Sequence, residues 1–235
     1  GAARRQQQID SERMAAWYTR NPARLRRRRA LGPRPQARRR AALPRRREAL
    51  PQALPRGLDT QLGKHFEHGV ELSGGQWQKV ALARVLTRTA ALIRDRVEPI
   101  ARLVTLEEGK PFAEAKGEVA ASAGLIDFHA AEALRVYGRV LMRPSGSRSL
   151  VLQQPVGPVA AFCAWNFPAL NVVRKIAPAV AAGCSIILKP SEETPGSAVE
   201  ILRCFIDAGV PGNVAQMVFG TPDMVSRHLL ASPIT

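Results

Sequence analysis

The chain has 235 residues, room for one or two domains at about 100 to 200 residues each and for a substantial core. With 46 % apolar and 23 % charged residues its composition is that of a globular protein, which excludes wholesale disorder and a fibrous repeat. A membrane-spanning helix needs about 18 or more apolar residues in a row. The longest candidate, residues 176–188, is interrupted by Pro178 and Gly183, so no span is expected.

The formal net charge of +16 suggests a nucleic-acid binder until it is placed along the chain. Residues 1–56 hold 17 arginines and no lysine against Asp10, Glu12 and Glu48, a net of +14, and the rest of the chain carries only +2. The basicity therefore says nothing about the partners of residues 57–235, and nucleic acid is not expected to be one. Three cysteines, Cys163, Cys184 and Cys204, fit neither a disulfide framework nor a zinc site. A reducing, cytoplasmic setting and no metal are expected.

Residues 1–56 are rich in Arg, Pro, Gln and Ala, with Trp17 and Tyr18 the sole aromatics. Such a tract lacks the apolar surface to fold alone and is expected to be disordered. Three readings stand: an arm for anionic surfaces or nucleic acid, a transit peptide, and a GC-rich gene read in the wrong frame. The composition favours the last.

Residues 57–87 contain one specific string, Leu72, Ser73, Gly74, Gly75 and Gln76, ahead of an amphipathic run. A serine and two glycines there leave main-chain N–H groups free at a helix start, as phosphate binding requires; a plain N-cap and turn would look the same. The string resembles the signature motif of ABC-transporter ATPases, and residues 58–63 resemble the lead-in to it. That family also needs a P-loop and a magnesium-binding acid, and neither accompanies the string. This segment alone is expected not to hydrolyse ATP.

From residue 88 the pattern alternates helices and strands. Residues 90–108 carry apolar side chains at helical spacing, closed by Gly109. A second helix is predicted over 112–137, stopped by Gly138. Strand-like runs at 149–153 and 156–162 are joined by a Pro-Val-Gly turn. A helix over 169–182, a strand over 185–188, a helix over 196–208, a strand over 214–218 and a helix over 222–230 follow. Such alternation predicts an α/β fold with a partial doubly wound, Rossmann-like parallel sheet.

Two loops directly after strands carry candidate chemistry. In the first, Trp165, Asn166, Phe167 and Pro168 precede a helix. The Asn166 amide can donate to an oxyanion, as a site attacking a carbonyl needs; the spacing alone favours the other reading, an asparagine stabilising its own turn. In the second, Lys189, Pro190, Ser191 and Glu192 follow a strand. Lys189 can meet a phosphate or a ribose hydroxyl, and Glu192 can accept from both ribose hydroxyls and repel a 2′-phosphate, favouring NAD over NADP. A solvated loop whose acids complement the next helix dipole remains the alternative.

Taken together, residues 107–111 (Glu-Glu-Gly-Lys-Pro), 155–159 (Pro-Val-Gly-Pro-Val), 165–168 (Trp-Asn-Phe-Pro), 178–184 and 189–195 (Lys-Pro-Ser-Glu-Glu-Thr-Pro) resemble the aldehyde dehydrogenase superfamily, collinearly over residues 88–235. The resemblance implies that Asn166 is the oxyanion-hole asparagine, that Trp165 and Asn166 line the cofactor channel, and that Lys189 and Glu192 hold the adenosine ribose of NAD. Arg174 matches an arginine that faces the distal carboxylate in succinate-semialdehyde dehydrogenases, and a guanidinium–carboxylate bond is the physical reason such a position selects acidic aldehydes. A surface arginine is the competing reading. Ala164 stands where the family usually has proline. The resemblance further implies a homo-oligomer formed partly through residues 149–162. It places the catalytic cysteine and glutamate beyond Thr235, so none of Cys163, Cys184 and Cys204 is the nucleophile and the 235 residues alone are expected not to turn over. A docking segment for a partner ATPase and a basic module for polyanions are the alternative functions.

Overall fold

The computed structural model describes residues 61–62, 70–144 and 146–235, all within one compact unit, Arg47–Thr235. The arginine-rich tract of residues 1–56 lies outside the described residues. Three helices open the described part: α1 (Gly74–Asp95), α2 (Val97–Glu108) and α3 (Phe112–Ala133). A two-stranded antiparallel hairpin, β1 (Arg139–Met142) with β2 (Arg148–Val151), follows. The rest is β3 (Val159–Phe162), α4 (Pro168–Ala181), β4 (Ile186–Lys189), α5 (Pro195–Ala208), β5 (Ala215–Met217) and α6 (Pro222–Leu230).

Strands β3, β4 and β5 pair in parallel in that order, with Phe162 opposite Lys189 and Leu188 opposite Met217. Right-handed crossovers advancing in one direction put α4 and α5 on the same face of the sheet, where they pack on each other and on α1–α3. The α/β architecture with a parallel sheet is as the sequence predicts. One hydrophobic core runs through all of it, and Leu86, Ile93, Ile100, Ile126, Ile176, Leu188, Ile201 and Phe205 are fully buried there. On α3 the buried residues Ala115, Val119, Ala123, Ile126, Ala130 and Ala133 recur every three or four positions, a seam of mostly small side chains that lets α1 approach closely.

Several elements differ from expectation. The helix predicted over 90–108 is two helices, because Pro99 has no N–H for the Asp95 carbonyl and its ring clashes with it; α1 ends at Asp95, and Arg96 (φ −106°, ψ 17°) forms the break. Gly109 closes α2 in the left-handed region (φ 83°), its N–H bonding the Thr105 carbonyl 2.9 Å away. Helix α3 ends at Ala133, four residues short of the predicted limit. The strand-like runs at 149–153 and 156–162 do not form a hairpin: β2 pairs with β1, whose turn carries Gly146 at φ 73°, and β3 joins the parallel sheet. Residues 155–157 therefore connect two sheets. Helix α1 runs without a break through residues 87 and 88, where the sequence suggests a boundary between segments.

Candidate active site

Parallel α/β sheets present ligand-binding loops at the carboxyl ends of their strands. The Phe162–Lys189 register brings the loop after β3, carrying Trp165 and Asn166, beside the loop after β4, carrying Pro190, Ser191 and Glu192. The Cys163 N–H extends the ladder to the Lys189 carbonyl at 3.0 Å. Asn166 is exposed and Trp165 is 54 % exposed, so this loop faces outward while its base is anchored.

The anchor comes from α3 and the turn before it. Glu118, buried in the stripe of α3, accepts the main-chain N–H groups of Ala169 (2.9 Å) and Leu170 (3.1 Å) with one oxygen and the Lys110 ammonium (2.6 Å) with the other. That ammonium also donates to the Asn166 carbonyl at 3.2 Å and lies 4.2 Å from the centre of the Phe167 ring. Its second charged neighbour is Glu108 at 3.3 Å. Burial lowers the Lys110 pKa, but Glu118 and Glu108 outweigh it and hold the ammonium above its ordinary value. Burial pushes the Glu108 carboxyl up, against the pull of Lys110.

A second carboxylate repeats the arrangement one helix later. Glu107 accepts the N–H groups of Gly196 (2.6 Å) and Ser197 (2.9 Å) and the Ser197 hydroxyl (2.6 Å). Both α4 and α5 begin with proline, at Pro168 and Pro195, and neither N-cap side chain bonds its own helix. The orphan N–H groups of both helices are satisfied from a distance by α2 and α3 instead. Glutamates thus occupy the amides of Ala169 and Leu170 and of Gly196 and Ser197, and none of these four is left for a dinucleotide pyrophosphate.

At the end of β4 the Lys189 ammonium, buried to 5 % exposure, pairs with Glu192 three residues on. A ribose diol needs a donor and an acceptor side by side, and this pair supplies both chemistries, so the donor set fits the ribose of a nicotinamide dinucleotide. The Ser191 hydroxyl accepts the Glu193 N–H at 3.2 Å and shapes the turn. Arg174 lies exposed on α4, eight residues beyond Asn166.

The cysteines are unsuited to attack as they stand. Cys184 and Cys204 are buried, and burial pushes the Cys163 thiol up to about 11. Among the described residues no group of His, Cys, Asp and Glu can hold a metal, and no helix is long and apolar enough to cross a membrane.

Ahead of α1, Ser73 accepts the Gln76 N–H at 3.3 Å while the Gln76 side chain accepts the Ser73 N–H at 2.8 Å. This reciprocal cap starts α1. Leu72 is buried; Ser73, Gly74 and Gly75 are exposed.

The model of the "Aldehyde dehydrogenase family" matches residues 72–235, a stretch that includes the capped start of α1. The chain belongs to that family. It is 49 % identical over 150 residues to 4-(hydroxymethyl)benzenesulfonate dehydrogenase of Comamonas testosteroni, covering 63 % of this chain and 31 % of the relative. It is 41 % identical over 153 residues to the NADP(+) succinate-semialdehyde dehydrogenase of Escherichia coli, covering 65 % and 32 %. A succinate-semialdehyde dehydrogenase crystal structure from Burkholderia pseudomallei superposes with a TM-score of 0.65 at 40 % identity, covering 67 % of this chain and 33 % of that one. The chain thus spans about a third of the length of the relatives it matches. Family members are oxidoreductases acting on aldehydes, and similar structures include an NAD-dependent enzyme from Sinorhizobium meliloti and an NADP+ complex from Streptococcus pyogenes.

Sequence reasoning singles out Asn166, Lys189 and Glu192 but misses the residues that hold the main chain nearby, Lys110 and Glu118 around Asn166 and Glu107 at the start of α5. Lys110 and Glu107 lie in a quoted motif without a role. Glu118 carried a legible signal, a lone acid among Ala115, Val119 and Ser122 on the buried stripe of α3.

Proposed function

We propose that this chain forms the oxyanion side and the ribose side of an active site that oxidises aldehydes bearing a distant anionic group, succinate semialdehyde or a similar acid, with NAD. The observation that carries the reading is Asn166: an outward-facing amide at the carboxyl end of β3, its carbonyl pinned by Lys110 and the following helix start pinned by Glu118. A fixed donor at a developing alkoxide contributes without reorganising during the reaction. Lys189 and Glu192 hold the adenosine ribose, and the Glu192 carboxylate disfavours a 2′-phosphate. The bound nicotinamide supplies the hydride acceptor. The nucleophile is none of Cys163, Cys184 and Cys204, so the 235 residues by themselves do not turn over.

Arg174 supports the acidic substrate, since a guanidinium pairs with a carboxylate or sulfonate through two parallel bonds. The names of relatives support it too: 3-sulfolactaldehyde dehydrogenase of Pseudomonas putida is 40 % identical and glutarate-semialdehyde dehydrogenase of Pseudomonas aeruginosa 40 % identical, and both named substrates carry an anion. The exposed apolar side chains Val140, Met142 and Leu150 on the hairpin support a homo-oligomer, and free cysteines fit a cytoplasmic setting.

The test is a chimera in which residues 72–235 replace the matching third of the Escherichia coli succinate-semialdehyde dehydrogenase. It oxidises succinate semialdehyde, Asn166→Ala lowers kcat by about 100-fold or more, and Arg174→Leu raises KM for succinate semialdehyde but not for butanal. An Asn166→Ala chimera at full rate removes Asn166 from the chemistry. Equal KM changes for both aldehydes remove Arg174 from substrate choice.

A further inference from the structure

An oxyanion donor must present nitrogen, yet the two ends of an asparagine amide have nearly the same shape and differ only in bonding. Rotation about its last torsion is broad and two-fold. An exposed asparagine such as Asn166 therefore needs a neighbour that recognises one end. Lys110 and Glu118 hold the main chain around it and are silent about the side chain.

Asn171, in the first turn of α4, supplies that recognition. Its Nδ2 lies 3.4 Å from Asn166 Oδ1 and 3.3 Å from the Ala164 carbonyl oxygen. Both partners are acceptors, so a donor is required at that point, and the amide nitrogen of Asn171 serves both. The loop from Ala164 to Asn166 is bracketed from the helix that follows it. The bracket matters more here because residue 164 is alanine, whose φ is free where a proline would fix it. Among the described residues nothing accepts from Asn166 Nδ2.

We propose that Asn171 is a positioning residue: it holds Oδ1 of Asn166 against α4 and thereby leaves both Nδ2 hydrogens for the substrate oxyanion. The proposal rests on the reading of Asn166 as the oxyanion donor, but its geometry is testable without turnover.

In the full 235-residue chain, 15N relaxation and water exchange of the Asn166 side-chain amide read the bracket directly. The unsubstituted chain shows an order parameter well above about 0.6, with both Nδ2 hydrogens exchanging freely. Asn171→Ala drops the order parameter below about 0.6, while the main-chain amides of Ala169 and Leu170, held by Glu118, keep their protection and report an intact fold. Asn171→Asp can only accept, so Asn166 turns round, donates Nδ2 to it, and one Nδ2 hydrogen exchanges at least tenfold more slowly. An Asn166 amide equally ordered in Asn171→Ala, or a protected Nδ2 hydrogen in the unsubstituted chain, overturns the proposal. The second of these needs no variant to fold. In the chimera, Asn171→Asp lowers kcat more than Asn171→Ala with KM unchanged, the split expected when only transition-state binding is lost. Full activity in Asn166→Ala would defeat the functional reading while the relaxation result still decides the role of Asn171.

Discussion

Glu118 joins α3, the Lys110 turn and the first turn of α4, and replacing it tests the anchoring directly. The carboxylate side chain is 3 % exposed and its ammonium partner 11 %. Glu118→Ala leaves a buried ammonium with only Glu108 nearby and orphans the amides of Ala169 and Leu170. Breaking a buried pair from one side costs about 3 to 5 kcal/mol, a large share of a typical total of about 5 to 15 kcal/mol. Glu118→Gln keeps a carbonyl oxygen for the two amides but turns the acceptor of the Lys110 ammonium into an NH2 donor, at about 1 to 3 kcal/mol. Urea unfolding followed by far-ultraviolet circular dichroism separates them: with a slope of about 2 kcal/mol/M, the Glu118→Ala midpoint falls by about 2 M and the Glu118→Gln midpoint by about half that or less. Lys110→Met combined with Glu118→Leu recovers part of the loss, because an apolar pair needs no compensation. Equal shifts for Glu118→Ala and Glu118→Gln, or a Glu118→Ala shift within error of zero, would refute the anchoring argument.

Three further outcomes follow from named contacts. With a thiol pushed up to about 11, Cys163 alkylates slowly at pH 8 and its rate climbs tenfold per pH unit toward pH 11; a plateau near pH 9 would show an unperturbed thiol. A methyl group added at Gly138 would lie 2.0 Å from the Val151 carbonyl oxygen, so Gly138→Ala strips hydrogen-exchange protection from β1 and β2 while β4 stays protected, and retained hairpin protection would contradict that clash. Burial raises the Glu108 pKa, so this group favours the folded state below its unfolded pKa of about 4.3 and loses that contribution as pH rises through the higher folded value. Glu108→Gln is accordingly more stable than the parent at pH 7, by a margin that shrinks as pH falls through the folded value and is gone below about 4; a margin independent of pH would contradict the assignment.

The parallel sheet was legible in the sequence because β3 and β4 are short apolar runs followed by helices with proline at their first position, a local pattern. The break at Arg96 was equally legible, since Pro99 stands in the middle of the predicted helix, and apolar periodicity masked it. Strand β1 was missed because its partner lies across a turn at 143–147 and all four of its residues are exposed, leaving no buried alternation to read. The candidate site divided in the same way. Asn166, Lys189 and Glu192 follow strands directly and announce themselves by position. Glu118 acts on residues 51 and 52 positions away, and Glu107 on residues 89 and 90 positions away, so only the packing of α2 and α3 against α4 and α5 reveals them. Asn171 is close to Asn166 in sequence, yet its role depends on which amide atom faces it.

The central claim is that the loops after β3 and β4 form the cofactor side of an aldehyde-oxidising site with a preference for NAD. Its most direct test is a titration of the 15N-labelled chain with NAD and with NADP+, following the amides of residues 163–167 and 189–193. NAD shifts both sets together, NADP+ does so at least tenfold more weakly, and Glu192→Gln narrows the difference. Shifts confined to other parts of the chain, or tighter binding of NADP+ than of NAD, would contradict the account.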